Sequence, residues 1–180
     1  LTKAVNKQLL PIYDKPLIYY PLSVLMLSGI KDILIIVNKG QLNQFKKIIP
    51  NGINLGIKIS YAEQKTPRGL PDAFNVGKKF IGKDNVALIL GDNFFYGQSL
   101  TDKLEKMVKL KNGASILTHP VKNPSSFGIC NIRNKRILQL TEKPKKSKSN
   151  LAITGLYFFD NSVVKKSKSL KKSKRGELEI

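Results

Sequence analysis

A chain of 180 residues, 41% hydrophobic and 24% charged, has the composition of an ordinary soluble globular protein and suffices for one domain with a sizeable core. Its formal net charge of +20 comes from 32 Lys and Arg against 12 Asp and Glu, yet only Arg68, Arg133, Arg136 and Arg175 are arginine; a nucleic-acid binder uses arginine with interleaved aromatics, so this lysine surplus reads as solvated surface. The lone Cys130 excludes an intrachain disulfide and suits a reducing, cytoplasmic setting, and the longest apolar run, Leu17 to Ile30, is too short and too interrupted by Pro21 to span a membrane.

Along the chain, Lys7-Gln8-Leu9-Leu10-Pro11 sets a cation just before an apolar turn. Leu17 to Ser28 reads as a helix stopped by Gly29. Ile33 to Val37 is a β-branched run, the mark of a strand buried on both faces. Gln41 to Ile49 has helical spacing and ends at Pro50-Asn51-Gly52. Ile57, Ile59 and Tyr61 alternate with Lys58 and Ser60 as in a half-wet strand leading to Gln64. Arg68-Gly69 precedes a helix expected over Leu70 to Phe80, followed by a strand at Val86 to Leu90. Ser99 with Asp102 has the pattern of a capping box opening a helix through Leu110. Strands are expected at Ala114–Leu117, Phe127–Ile132, Ile137–Leu140 and Ile153–Phe159, and a short helix over Ser162–Leu170. His119, beside Pro120, reads as a structural loop residue. Strand–helix alternation in the first hundred residues argues an α/β fold with a parallel, doubly wound sheet, and the strand-rich remainder argues an added antiparallel section.

The segment Leu88-Ile89-Leu90-Gly91-Asp92-Asn93 is the most informative. Ligands collect beyond the carboxyl ends of parallel strands, where a lone carboxylate can hold a divalent metal against phosphates. All three of Gly91, Asp92 and Asn93 also suit a plain turn. Further on, Glu142-Lys143-Pro144 sets opposite charges in a rigid step, with Thr154-Gly155 shortly after.

Taken with KQLLPIYDKPLIYYPLS at 7–23, PRGLPDAF at 67–74, LGDNFFYG at 90–97, EKPKKSKSN at 142–150, TGLYFFD at 154–160 and RGELEI at 175–180, the chain resembles the sugar-phosphate nucleotidyltransferases nearly end to end, most closely those that use thymidine nucleotides. The resemblance implies a Rossmann-like, open, mixed but mainly parallel sheet flanked by helices, forming one nucleotidyltransferase domain over residues 1–180. It implies Mg²⁺-dependent transfer of a thymidylyl group from dTTP to glucose 1-phosphate, giving dTDP-glucose and pyrophosphate for deoxysugar and cell-surface polysaccharide synthesis. Asp92 would hold the metal, Lys7 would neutralise phosphate charge, and Gln64 would offer its amide to thymine, with Gln8 and Gly69 lining the nucleotide site. Asn93, Gly128, Glu142, Lys143, Ile153 and Thr154 would surround the sugar phosphate, Lys143 supplying the cation. Lys7, Asp92 and Lys143 are thus the catalytic candidates. A cytoplasmic homotetramer without nucleic-acid or membrane partners is implied as well.

The sequence departs from that pattern in places. The family's buried first strand and Gly-rich loop, and a second metal-binding aspartate, have no counterpart here. The expectation is therefore a domain truncated at both ends, its first strand missing, a gap between that strand's neighbours, and no activity of the 180-residue chain alone. Pro71, Phe127, Asn131 and Arg133 differ from the residues usual at those positions. The alternatives are a UTP-using relative and, from another class, a basic nucleic-acid-binding module.

Overall fold

The computed structural model describes residues 6–134, 136–173, 176 and 178–180. Arg175 and Glu177 of the terminal motif lie outside the described residues. After a 3-10 turn at Lys7–Leu9 come β1 (Pro11–Ile12), β2 (Lys15–Pro16), α1 (Tyr19–Leu27), β3 (Asp32–Asn38), α2 (Leu42–Ile48) and β4 (Lys58–Gln64). Next are α3 (Asp72–Val76), α4 (Lys78–Ile81), β5 (Val86–Ile89) and α5 (Leu100–Val108). The remainder is β6 (Ala114–Pro120), β7 (Gly128–Arg133), β8 (Arg136–Glu142), β9 (Leu151–Phe159) and α6 (Ser162–Ser169).

The mixed α/β class holds, but the strand directions shift its balance. Among the named strands only β3 and β4 pair in parallel, from Asp32 opposite Lys58 to Asn38 opposite Gln64. β1 and β2 form a separate antiparallel pair, and the five-stranded sheet is antiparallel too: β9 pairs β6 along one edge, and its other edge takes β5 at Leu156–Phe159 and β7 at Leu151–Ala152. The hairpin partner β8 closes that sheet beyond β7. Alternating strands and helices tell the direction of successive strands but not their neighbours. The partner of β5 is β9, which comes from the far half of the chain and runs the opposite way.

Side-chain packing joins the β3–β4 pair to the five-stranded sheet. One buried cluster gathers Ile33, Ile35, Val37, Phe45, Ile57 and Ile59, and a second gathers Val24, Leu104, Met107, Leu156 and Phe158; Ala87 and Ile89 of β5 pack against both. Between β3 and β5 lies a cavity of about 480 Å³, lined mainly by apolar side chains including Leu34, Ile36, Ala87 and Phe158. Among the named strands β3 and β5 do not pair, and this cavity lies between them. It also explains why Leu34 and Ile36 are only half-buried on a strand expected to be covered on both faces.

Three local expectations change. The helix over Leu70 to Phe80 divides into α3 and α4 at Gly77, where a Cβ would sit 3.0 Å from the Ala73 carbonyl oxygen and 3.2 Å from Leu34 Cδ2. Close approach to β3 explains the glycine there. Ser99 precedes α5 in a left-handed conformation (φ 56°) and makes no side-chain capping bond, so the capping box is not formed. His119 lies in β6 opposite Ala152 rather than in a loop, because the β6–β9 ladder runs to Pro120 and Leu151. Cys130 is fully buried in β7, and burial pushes its thiol pKa up, leaving it an inert packing group. No helix of the described residues is long and apolar enough to cross a membrane.

Candidate active site

The division of one edge of β9 between β5 and β7 organises the site. The residues between those two pairings, Ile153 to Gly155, are free to engage the loop that follows β5. Leu90 N–H donates to the Gly155 carbonyl at 3.0 Å, and Asn93 Nδ2 donates to the Thr154 carbonyl at 2.6 Å. Gly155 has φ 78°, and a Cβ there would stand 2.4 Å from Asn93 Nδ2 and 2.7 Å from Leu90 Cδ1. Only glycine permits that approach. The Thr154 hydroxyl turns away and donates to the Leu117 carbonyl at 3.0 Å. Thr154 therefore meets the loop through its backbone.

From the other side, the 3-10 turn carries Lys7 and Gln8 onto the same loop. The Asn6 side chain accepts from the Gln8 N–H at 2.9 Å and donates to Gln41 Oε1 at 2.7 Å, tying the turn to the start of α2. Gly91 lies against Gln8: a Cβ would be 3.3 Å from Gln8 Cγ. Lys7 Nζ forms an ion pair with Asp92 Oδ2, with the two side chains 56% and 28% exposed. Tyr20 of α1 packs its ring 4.9 Å from that of Phe94, bracing the loop further on. An accessible ammonium and a lone carboxylate thus face each other at the end of a strand. Among the described residues no group of three or more His, Cys, Asp and Glu is placed to hold a metal. One carboxylate suits an ion that takes its remaining ligands from phosphate and water, as Mg²⁺ commonly does.

A second cavity, of about 310 Å³, is lined by Gly128, Glu142, Lys143, Ile153 and Tyr157, together with Leu178 and Glu179 near the end of the chain. The β7–β8 hairpin sets Gly128 opposite Glu142, and a Cβ on Gly128 would be 3.0 Å from Glu142 Oε2. Lys143 takes a left-handed conformation (φ 42°), its N–H donating to the Phe127 carbonyl at 3.0 Å. Sequence reasoning passed over Tyr157. Its position in an apolar run looks like core, and it is indeed 6% exposed, but it also lines this cavity. Burial and the negative charge of Glu142 push its phenol pKa up to about 12, so it stays a neutral hydroxyl.

Gln64, the last residue of β4, and Gly69, in the loop that follows it, lie elsewhere. Gln64 is half-buried and Gly69 (φ 102°) bridges to Leu178, whose N–H donates to the Arg68 carbonyl at 2.9 Å. A Cβ on Gly69 would be 2.2 Å from the Leu178 carbonyl oxygen. The structure therefore brings Lys7, Gln8 and Asp92 into one cluster and Gly128, Glu142, Lys143 and Ile153 into another. Asn93 and Thr154 link the loop after β5 to β9, next to Ile153.

The model for the nucleotidyl transferase family matches residues 1–180. A glucose-1-phosphate thymidylyltransferase of Neisseria meningitidis serogroup A is 52% identical over the whole of this chain. The chain spans 63% of that relative's length. A solved structure from Bacillus anthracis, in complex with sucrose, is 37% identical with a TM-score of 0.89, covering 99% of this chain and 72% of its own. A UDP-glucose pyrophosphorylase bound to UDP-glucose, 23% identical, has the same fold at a TM-score of 0.82, covering 97% of this chain and 75% of its own.

Proposed function

The chain belongs to the nucleotidyl transferase family, and on that premise we propose that it serves transfer of a thymidylyl group from dTTP to glucose 1-phosphate. A phosphate oxygen of the sugar phosphate attacks the α-phosphorus in line; one P–O bond forms, the bond to the β-phosphate oxygen breaks, and pyrophosphate leaves. Such a reaction asks the protein for positioning and charge neutralisation rather than a nucleophile. The observation that carries this reading is the Lys7–Asp92 pair at the end of β5, held beside Gln8 and Gly91.

Asp92 would hold Mg²⁺, which when bound neutralises phosphate charge; Lys7 would then turn from the carboxylate to the triphosphate. Gln64 would read the base, Gln8 and Gly69 would line the nucleotide site, and Gly128, Glu142, Lys143 and Ile153 would hold the sugar phosphate, with Tyr157 as a neutral hydroxyl at its edge. Asn93 would be set by Thr154. A cytoplasmic homo-oligomer belongs to the same reading.

Competition among dTTP, UTP, CTP and ATP tests it, by equilibrium binding to the chain and by pyrophosphate release with glucose 1-phosphate from a protein of the relatives' full length, the 180-residue chain alone being expected to bind without turnover. Thymidine nucleotide should be preferred. Preference for a purine nucleotide sinks the role of Gln64, and preference for UTP moves the reaction to uridylyl transfer.

A further inference from the structure

Gln64 ends β4 and Asp72 opens α3, eight residues on; the Gln64 amide nitrogen donates to Asp72 Oδ2 at 2.7 Å. Asp72 is only 8% exposed, and among the described residues it has no ion-pair partner. Its other side-chain contact is a long one, 3.5 Å from Asn75 Nδ2 to Oδ1. An acid this buried is uncommon unless it is held by partners. Because an ionised carboxylate only accepts, the amide must turn its NH₂ toward Asp72 and its Oε1 away.

We propose that Asp72 is a positioning residue that locks the direction of the Gln64 amide and thereby sets base selectivity, favouring a pyrimidine with an N3–H over cytosine. The inference rests on the assignment of Gln64 to the base. One N–H of the amide goes to Asp72, which leaves Oε1 and the second N–H side by side as an acceptor–donor pair. Thymine and uracil present the complement, an N3–H beside a carbonyl oxygen. Cytosine presents an unprotonated N3 beside an amino group, and to meet that in the same register the amide must rotate by half a turn. Rotation would set Oε1 against the Asp72 carboxylate, two acceptors without a proton between them. A buried polar group forced into that arrangement is costly, so the wrong base is rejected through a residue that does not touch it.

The test is the ratio of dissociation constants of the chain for dCTP and dTTP, measured in Mg²⁺ buffer by titration calorimetry for wild type, Asp72→Asn and Gln64→Ala. Asparagine can offer either its carbonyl or its NH₂, so Asp72→Asn lets the Gln64 amide face either way; the ratio should fall by about tenfold or more. In wild-type protein without nucleotide, one proton of the Gln64 side-chain amide should exchange slowly by NMR, and this protection should weaken in the variant. A folded Asp72→Asn with an unchanged ratio overturns the inference while leaving the base role of Gln64 intact. Should Asp72→Asn not fold, the wild-type NMR decides: rapid exchange of both amide protons overturns the lock. If Gln64→Ala leaves the ratio as in wild type, or wild type binds neither nucleotide, the proposed base site itself fails.

Discussion

At Lys7 and Asp92 two lone charges, each easily read as surface, become a pair because a turn and a loop converge. Both side chains keep contact with water, so the pair contributes at most about 1 kcal/mol to stability. Its value is therefore expected in turnover. Carried in a protein of the relatives' full length, Lys7→Ala and Asp92→Asn should each lower kcat on the order of 10²–10³-fold, the size seen when one charge-stabilising group is removed from a transfer site. Their thermal unfolding should stay near wild type, and pyrophosphate release followed beside calorimetry would check both halves. Tyr157 makes a different prediction. Its pKa is raised in the folded state to about 12, from an ordinary value of 10.0, by burial first and Glu142 second. Raised pKa means that stability is whole below pH 10 and is lost as pH climbs toward 12, because the unfolded chain ionises first. The loss amounts to about 3 kcal/mol at most. Urea unfolding of wild type and Tyr157→Phe across that window should show the wild type losing more; parallel curves would refute the assignment.

At the scale of elements, the site depends on how β9 shares its edge. Gly155 stands in the interval between β5 and β7, and its left-handed backbone lets Leu90 and Asn93 come close. Gly155→Ala combines an unfavourable φ with contacts at 2.4 and 2.7 Å. It should cost about 1–3 kcal/mol in denaturant unfolding and loosen the loop bearing Asp92, raising KM for dTTP as well. A stability within experimental error of wild type would mean that this interval relaxes freely. The same element logic accounts for Ser99: the residue type and the spacing to Asp102 fit a capping box, but the left-handed turn before α5 leaves the first-turn N–H groups without that bond.

For the whole molecule, the net charge of +20 sets long-range behaviour. Both proposed reactants are anions, so an excess of lysines should speed their encounter irrespective of which lysine touches them. Raising salt from about 0.01 M to about 1 M shortens the screening length from about 30 Å to about 3 Å. Association of dTTP, followed by stopped flow, should slow by about tenfold over that range. A flat profile would assign the surplus charge to solvation alone. The joint packing of Ala87 and Ile89 against two buried clusters is what keeps the sheets together across a cavity where strand pairing is absent.

Local chemistry marked the elements. The apolar content of α1 ahead of Gly29, the helical spacing of α2 and α5, the β-branched run of β3, the alternation in β4 and the turn residues around them are properties of neighbours in sequence, so strand and helix positions were legible. The candidate residues Lys7, Gln64, Asp92 and Glu142-Lys143 stand out only through the motifs that hold them, since a lysine or a carboxylate by type alone reads as surface. Strand neighbours were not legible: β5 lies against β9 rather than in a parallel run with β3, and that choice is made by side chains far apart in the chain. Nor could one dimension show that Tyr157 faces a cavity, that Lys7 meets Asp92, or that Asp72 holds Gln64. Sequence fixes what each residue can donate, accept or bury; distance and direction exist only once the backbone has closed on itself.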